Sequence, residues 1–154
     1  MTFDQDLLSI QEARDLATAA RKAQLSWMHA SQEEVDRVCE AMAEAAYQAA
    51  TWLGKAAHEE TGFGVAEHKK LKNEFASRSL WQSIRDVRTV GVVNQDTARG
   101  IVEIAWPMGV VAALVPSTNP TSTAFAKILS AVKARNAIVV APHPSAAHCT
   151  HDAA

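Results

Sequence analysis

The residues best suited to chemistry lie in the run Val115-Pro116-Ser117-Thr118-Asn119-Pro120-Thr121-Ser122-Thr123, a turn dense in hydroxyl and amide groups. It leaves an apolar, strand-like stretch and opens a helix-like one. Asn119 directly before Pro120 suits an N-cap followed by a first helical residue, because proline is tolerated where the N–H has no intrahelical partner. The free N–H groups of that helix start, together with Ser117, Thr118, Thr121 and Ser122, favour an anion or a polarised oxygen. Alternatively, Asn119 turns its amide outward and donates a hydrogen bond to a developing oxyanion. Local chemistry by itself favours the cap. Cys149, between His148 and His151, is the other reactive group of side chains. Its spacing matches neither a zinc finger nor H-E-x-x-H, so no metal site is assigned. Nor can an oriented base or an oxyanion partner be argued for Cys149, which excludes it as a nucleophile.

These groups need elements to hold them. Val110-Val111-Ala112-Ala113-Leu114-Val115 reads as a buried parallel strand, and Phe125, Ile128, Leu129 and Val132 form the apolar stripe of a following helix. Lys133 and Arg135 suit that helix's C-terminal end, Asn136 can stop it, and Ala137-Ile138-Val139-Val140-Ala141 is a second strand. Strand, helix, strand at this spacing is a right-handed crossover, the building block of doubly wound sheets. Ligands of open α/β sheets bind beyond the carboxyl ends of the strands, here Pro116 to Asn119 and Pro142 to Pro144, side by side at one rim. The chain contains neither G-x-G-x-x-G after a strand nor G-x-x-x-x-G-K-S/T.

Upstream the period is helical. Leu16, Ala20, Ala23 and Trp27 repeat at helical spacing, and Ser31 with Glu34 forms a capping box that starts a second helix. Its stripe runs through Val35, Val38, Cys39, Met42, Ala45, Ala46, Ala49 and Leu53, which makes Cys39 a core residue. Gly54, Gly62 and Gly64 mark breaks, and a third helix runs through Leu71, Phe75, Leu80, Ile84 and Val87. Glu59-Glu60 and Glu67-His68-Lys69-Lys70 read as solvated faces and helix ends. From Thr89 the pattern changes. Val90, Val92, Val93 and Ile101-Val102-Glu103-Ile104-Ala105-Trp106 flank the polar loop Asn94 to Gly100, predicting a β-hairpin. It either reaches out to pair with another subunit or domain, or forms an antiparallel edge on the main sheet. Residues 1–88 thus read as helical, 89–106 as the hairpin and 107–154 as the first β-α-β unit of an incomplete Rossmann-like sheet. A parallel sheet of two strands needs further elements to cover it.

Composition sets the outer bounds. With 48% hydrophobic and 21% charged residues the chain is an ordinary globular one, and one domain is the default. Its 15 basic and 17 acidic residues are mixed, giving a net charge of -2 and no electrostatic footprint for nucleic acid or an anionic membrane. No apolar run approaches the roughly 18 residues that span a bilayer, and the first residues lack a secretory pattern, so cytoplasmic residence is expected. Cys39 and Cys149 read as one buried and one surface thiol rather than a disulfide.

At this point several segments carry a resemblance. Glu59-Glu60-Thr61-Gly62-Phe63-Gly64, Lys72-Asn73-Glu74-Phe75-Ala76-Ser77, the Pro116 to Thr123 turn, and Arg135-Asn136-Ala137-Ile138 with Pro142-His143-Pro144 resemble the CoA-acylating aldehyde dehydrogenases. The likeness covers nearly the whole chain, in order. It implies a cysteine thiolate that attacks an aldehyde, hydride transfer to NAD (or NADP) and acyl transfer to coenzyme A. Asn119 then corresponds to the asparagine that stabilises the oxyanion, which raises that reading above the cap. Val115, Pro116, Ser117 and Thr118 would approach the cofactor near its nicotinamide end. Pro142, His143 and Pro144 replace a Lys-Pro-Ser type segment that holds the adenosine ribose in the non-acylating branch, with Ala141 in the place of that lysine. His143 reads either as a ligand contact or as a loop residue between two prolines. The family's nucleophilic cysteine, cofactor-phosphate turn and catalytic domain would lie beyond Ala154. The implied function is therefore the N-terminal part of an acylating, homo-oligomeric dehydrogenase acting on a small aldehyde and CoA, inactive by itself. A non-catalytic nucleotide-binding or assembly module is the alternative.

Overall fold

The second helix, α2 (Gln32–Thr61), is the spine on which the other elements are placed. The computed structural model of the chain describes residues 4–154. Ser31 starts α2 with a reciprocal capping box: its hydroxyl accepts from Glu34 N at 3.2 Å, and the Glu34 carboxylate accepts from Ser31 N at 2.8 Å. The helix buries Val35, Cys39, Ala43, Ala50, Leu53 and Ala57 on one stripe, and each of three core clusters along the molecule takes residues from it. Ala45, expected on that stripe, is exposed. Preceding it, α1 (Gln5–Trp27) is capped by Asp4, whose carboxylate accepts from Asp6 N. Within the Leu16-Ala20-Ala23-Trp27 repeat only Ala20 and Trp27 are shielded, and the fully buried position is Gln24.

Gly54 does not break α2. The helix passes through it and ends at Gly62, whose left-handed φ of 69° is a conformation glycine adopts without strain. What glycine allows at position 54 is contact: a Cβ there would stand 2.8 Å from Lys70 N, so α3 (Ala66–Glu74) lies directly on the α2 backbone. The third helix then continues through a π-helical turn, Phe75–Ser79, into α4 (Leu80–Ile84). Its buried face carries Lys69, Asn73, Ala76 and Ser77, whereas Leu71, Phe75 and Val87 of the expected stripe are exposed. Lys69 is thus part of the interior and not of a solvated face.

The hairpin pairs β1 (Gly91–Asp96) with β2 (Ile101–Ala105) in antiparallel register, with a bulge between Val92 and Asn94. It is a sheet of its own and not an edge of the main one. Gln32 Oε1 ties its base to α2 by accepting from Thr89 N at 2.9 Å and Val90 N at 3.1 Å.

The second sheet is the parallel pair β3 (Val110–Val115) and β4 (Ala137–Pro142), joined by α5 (Pro120–Lys133). Register runs from Val110 opposite Ala137 to Val115 opposite Pro142. Gly109, at φ 118°, lets the chain enter β3 while its N–H donates to Asn136 Oδ1. The helix stops one residue earlier than expected: Arg135, not Asn136, takes the left-handed conformation, φ 58°. Arg135 is held there by bonds to Met28 O at 2.6 Å and Ala105 O at 3.2 Å, which join α1, β2 and α5. Lys133 reaches past its own helix end to Asp36 of α2 and Arg85 O. Alternate residues of β3 face outward, Leu114 at 75% exposure, so part of the sheet is uncovered in this chain. Among the described residues no helix is long and apolar enough to cross a membrane. The architecture is α/β: helices packed around a short parallel pair, with a hairpin projecting from them.

Candidate functional site

The parallel register carries the two polar turns to one rim. Val115 lies opposite Pro142, and His143 N donates to Val115 O at 2.9 Å, so Pro116 to Asn119 and Pro142 to Pro144 leave the sheet side by side. Val115 itself is buried, while Pro116, Thr118, Pro142, His143 and Pro144 are exposed and Ser117 and Asn119 half-buried. His143 caps the 3-10 turn Pro144–Ala146: its Nδ1 accepts from Ser145 N at 3.2 Å and lies 2.8 Å from Ser145 Oγ. That engages the imidazole through one nitrogen, on a residue that is otherwise exposed.

Asn119 occupies the N-cap position of α5 but does not cap it with its side chain. Its carbonyl accepts from Thr123 N, whereas its Oδ1 accepts from Lys72 Nζ at 2.7 Å. The local preference for a cap is therefore overridden by a partner 47 positions away. The reason is the placement of α3 against the turn. Lys69 Nζ donates to Thr118 O at 2.9 Å, and Asn73 Oδ1 accepts from Thr121 Oγ1 at 2.7 Å. Asn73, wholly buried, also donates to Ala50 O of α2 at 3.1 Å. Positions 69, 72 and 73 share a helix face by their three- and four-residue spacing. Burial holds the Lys69 ammonium below the ordinary lysine range, and the charge of Lys72 acts in the same direction. None of these three residues was singled out for a role from its type or spacing. In the sequence Lys72-Asn73 belongs to the family-like segment, which is the one signal for them, while Lys69 lies in a charged run of the kind that usually faces solvent.

Beside the turn, α3, the π-helical turn and the start of α5 enclose an open groove of about 560 Å³. Asn119, Lys72, Ser122 and Thr123 supply polar groups to it, and Leu71, Phe75, Leu80 and Ala126 apolar walls. A smaller hollow of about 310 Å³ between α2, α5 and the chain end is walled almost entirely by alanine and other apolar side chains and holds no convergent polar set.

Cys149 lies elsewhere, on α6 (Ala147–Ala153), and is buried, contrary to the surface position expected of it. Burial, reinforced by the neighbouring Glu60 carboxylate, pushes its thiol up to about 12. Glu60 is no simple solvated residue, since its carboxylate accepts from His148 N at 2.9 Å and Cys149 N at 2.7 Å. Burial likewise pushes the Cys39 thiol up to about 11. Both thiols are free and protonated at neutral pH, the wrong state for a nucleophile.

A parallel β-α-β unit with a polar strand-to-helix turn at its carboxyl rim defines an α/β ligand-binding architecture. Residues 6–153 match the aldehyde dehydrogenase family, and the chain belongs to that family. It is 41% identical over 146 residues to the bifunctional aldehyde-alcohol dehydrogenase of Escherichia coli, a match that covers 95% of this chain and 16% of that protein. The structure superimposes on an acetylating aldehyde dehydrogenase from Geobacillus thermoglucosidasius with a TM-score of 0.95 and 52% identity, covering 99% of this chain and 34% of that one. A propionaldehyde dehydrogenase from Rhodopseudomonas palustris, solved with bound CoA and an acylated cysteine, shares 26% identity and a TM-score of 0.74, covering 91% of this chain and 32% of that one. The chain thus spans about a third or less of these relatives, matching their N-terminal part.

Proposed function

We propose that this chain supplies the oxyanion-side and cofactor-side turn of an NAD-dependent, CoA-acylating aldehyde dehydrogenase. The observation that carries the reading is the Asn119 side chain, which leaves its capping role and presents an amide at the rim where two parallel strands end. In the intact enzyme a cysteine thiolate from outside these residues adds to the aldehyde carbonyl, and negative charge gathers on the carbonyl oxygen. Asn119 Nδ2 donates to that oxygen, where a fixed donor stabilises the transition state more than the ground state. The apolar walls of the groove beside it hold the carbon chain of a short aldehyde. The rim suits a dinucleotide: Pro116 to Thr118 and Pro142 to Pro144 are accessible on adjacent strands, with the small Ala141 next to them. Val115, Pro116, Ser117 and Thr118 would border its nicotinamide end, and Pro142, His143 and Pro144 its adenosine end. A nicotinamide cofactor held there would supply the hydride acceptor, and coenzyme A the acceptor for the acyl group. The chain's own thiols, both buried and protonated, support a nucleophile from elsewhere. They also suit a reducing, cytoplasmic setting, where thiols stay unpaired.

Two assays test this. The 154-residue chain alone is expected to show no aldehyde- and CoA-dependent NADH formation; turnover that Cys149→Ala abolishes would overturn the reading. In the intact enzyme Asn119→Ala is expected to lower kcat by about a hundredfold or more, the effect of losing one oxyanion donor. An unchanged kcat would remove Asn119 from the mechanism.

A further inference from the structure

We propose that Lys72 is a positioning residue for this reaction: it selects which end of the Asn119 amide faces the site and polarises the donor that remains. The inference rests on the oxyanion role of Asn119 and extends it to a second side chain. Carbonyl and amide ends of an asparagine have nearly the same shape, so an unrestrained Asn119 would present an acceptor to the oxyanion in some molecules. An acceptor there repels the developing charge. A lysine ammonium has three donors and no acceptor, so the amide end 2.7 Å from Lys72 Nζ must be Oδ1. Reversal would set –NH₂ against –NH₃⁺. Lys72 therefore leaves Nδ2 as the outward end.

The same bond withholds Oδ1 from the α5 N–H groups, which accounts for the absence of a side-chain cap. The nearest partner of Nδ2 is Thr118 Oγ1 at 3.5 Å, too long to hold it, so its N–H groups are left for a ligand. Because a cation on the carbonyl oxygen draws electron density from the amide nitrogen, it also strengthens Nδ2 as a donor. Lys72 is anchored for this task. Its helix neighbours Lys69 and Asn73 bond Thr118 O and Thr121 Oγ1 on either side of Asn119, so the ammonium is presented from a helix locked to the turn it orients. Lys127, the other lysine beside the groove, is committed to Leu114 O.

Steady-state kinetics of the intact enzyme test the proposal, with Lys72→Met, Lys72→Arg, Asn119→Ala and the Lys72→Met/Asn119→Ala pair. Lys72→Met is expected to lower kcat by about tenfold, a share of the full oxyanion effect, because the amide is present but no longer held. The KM values for aldehyde, NAD and CoA should stay within about twofold, since ground-state binding is untouched. Lys72→Arg should restore most of the rate. Removing Lys72 in the Asn119→Ala background should cost nothing more, because a residue acting through another has no effect once that other is gone. Should the methionine variant misfold, Lys72→Gln serves instead, expected to be slower than Lys72→Arg. Four results would overturn the proposal: an unchanged kcat, losses that multiply in the double variant, equal rates for the glutamine and arginine variants, or a loss confined to the KM for CoA. The last would make Lys72 an anion contact for the co-substrate. An unmutated enzyme without aldehyde- and CoA-dependent NADH formation defeats the functional reading and this inference with it. An active enzyme indifferent to Lys72 defeats the inference alone.

Discussion

Cys39 and Cys149 hold their protons more tightly in the folded chain than an exposed thiol does, because burial withdraws the water that would solvate a thiolate. The consequence is a pH dependence of known sign. The unfolded chain releases thiol protons near the ordinary value of 9.0, whereas the folded chain keeps them to about 11 at Cys39 and about 12 at Cys149. Over that window the unfolded state binds fewer protons, so stability is full below about pH 9 and falls as pH rises. Lys69 acts oppositely, since burial lowers its folded value and favours the neutral amine as pH rises. Urea unfolding of the chain from pH 7 to 10.5, beside a Cys39→Ala/Cys149→Ala variant, separates the two. The alkaline loss should be smaller in the variant; equal slopes would mean that neither thiol is desolvated. At this scale the sequence was legible in kind more than in partner. Asn119 stood out because of the proline after it, and Cys39 because of its helical stripe. That Asn119 would give its Oδ1 to Lys72 was not readable, because the two are brought together by packing.

The packing in question is α2 against α3. A glycine inside a helical pattern reads as a break because it costs about 1 kcal/mol relative to alanine. Here it marks the point where another backbone approaches. Gly54→Ala should gain that propensity and lose more, since the new methyl would stand 2.8 Å from Lys70 N and 3.1 Å from Ala66 O. Overpacking of this kind costs about 1–3 kcal/mol, and with about 1 kcal/mol of propensity regained a net loss of up to about 2 kcal/mol in urea unfolding is expected. A variant as stable as the parent would show that α3 is free to move. In the intact enzyme the shift should also lower kcat, because Lys69, Lys72 and Asn73 ride on α3. The same two helices show why apolar residues here are not the buried ones: Leu71 of α3 and Phe75 of the π-helical turn line the open groove, and the polar Lys69 and Asn73 of α3 face the interior. Periodicity identifies a helix, but which face is buried depends on what lies opposite.

At the scale of the whole molecule, two of the exposed apolar surfaces lie on its sheets. One is the outward side of β3 around Leu114; the other is the hairpin, whose strands pack extensively on each other and are tied to the rest mainly at their base, where Arg135 bonds Ala105 O. Val92 and Ile104 lie directly opposite one another across the hairpin and both are exposed. We propose that this apolar pair packs against a second subunit in the intact enzyme. A Val92→Glu/Ile104→Glu variant should then sediment as a smaller assembly with its fold retained; an unchanged mass would assign the hairpin another purpose. By itself the sequence determined the order of elements, the hairpin, the β-α-β unit and the polar turn between β3 and α5. Each of these is written in patterns a few residues long, where backbone preference and hydrophobic period act locally. Only the tertiary structure decided what the turn is held by. An ammonium or an amide bonds whatever its backbone carries it to, and here the close approach of α3 to Gly54 carries Lys69, Lys72 and Asn73 to Thr118, Asn119 and Thr121.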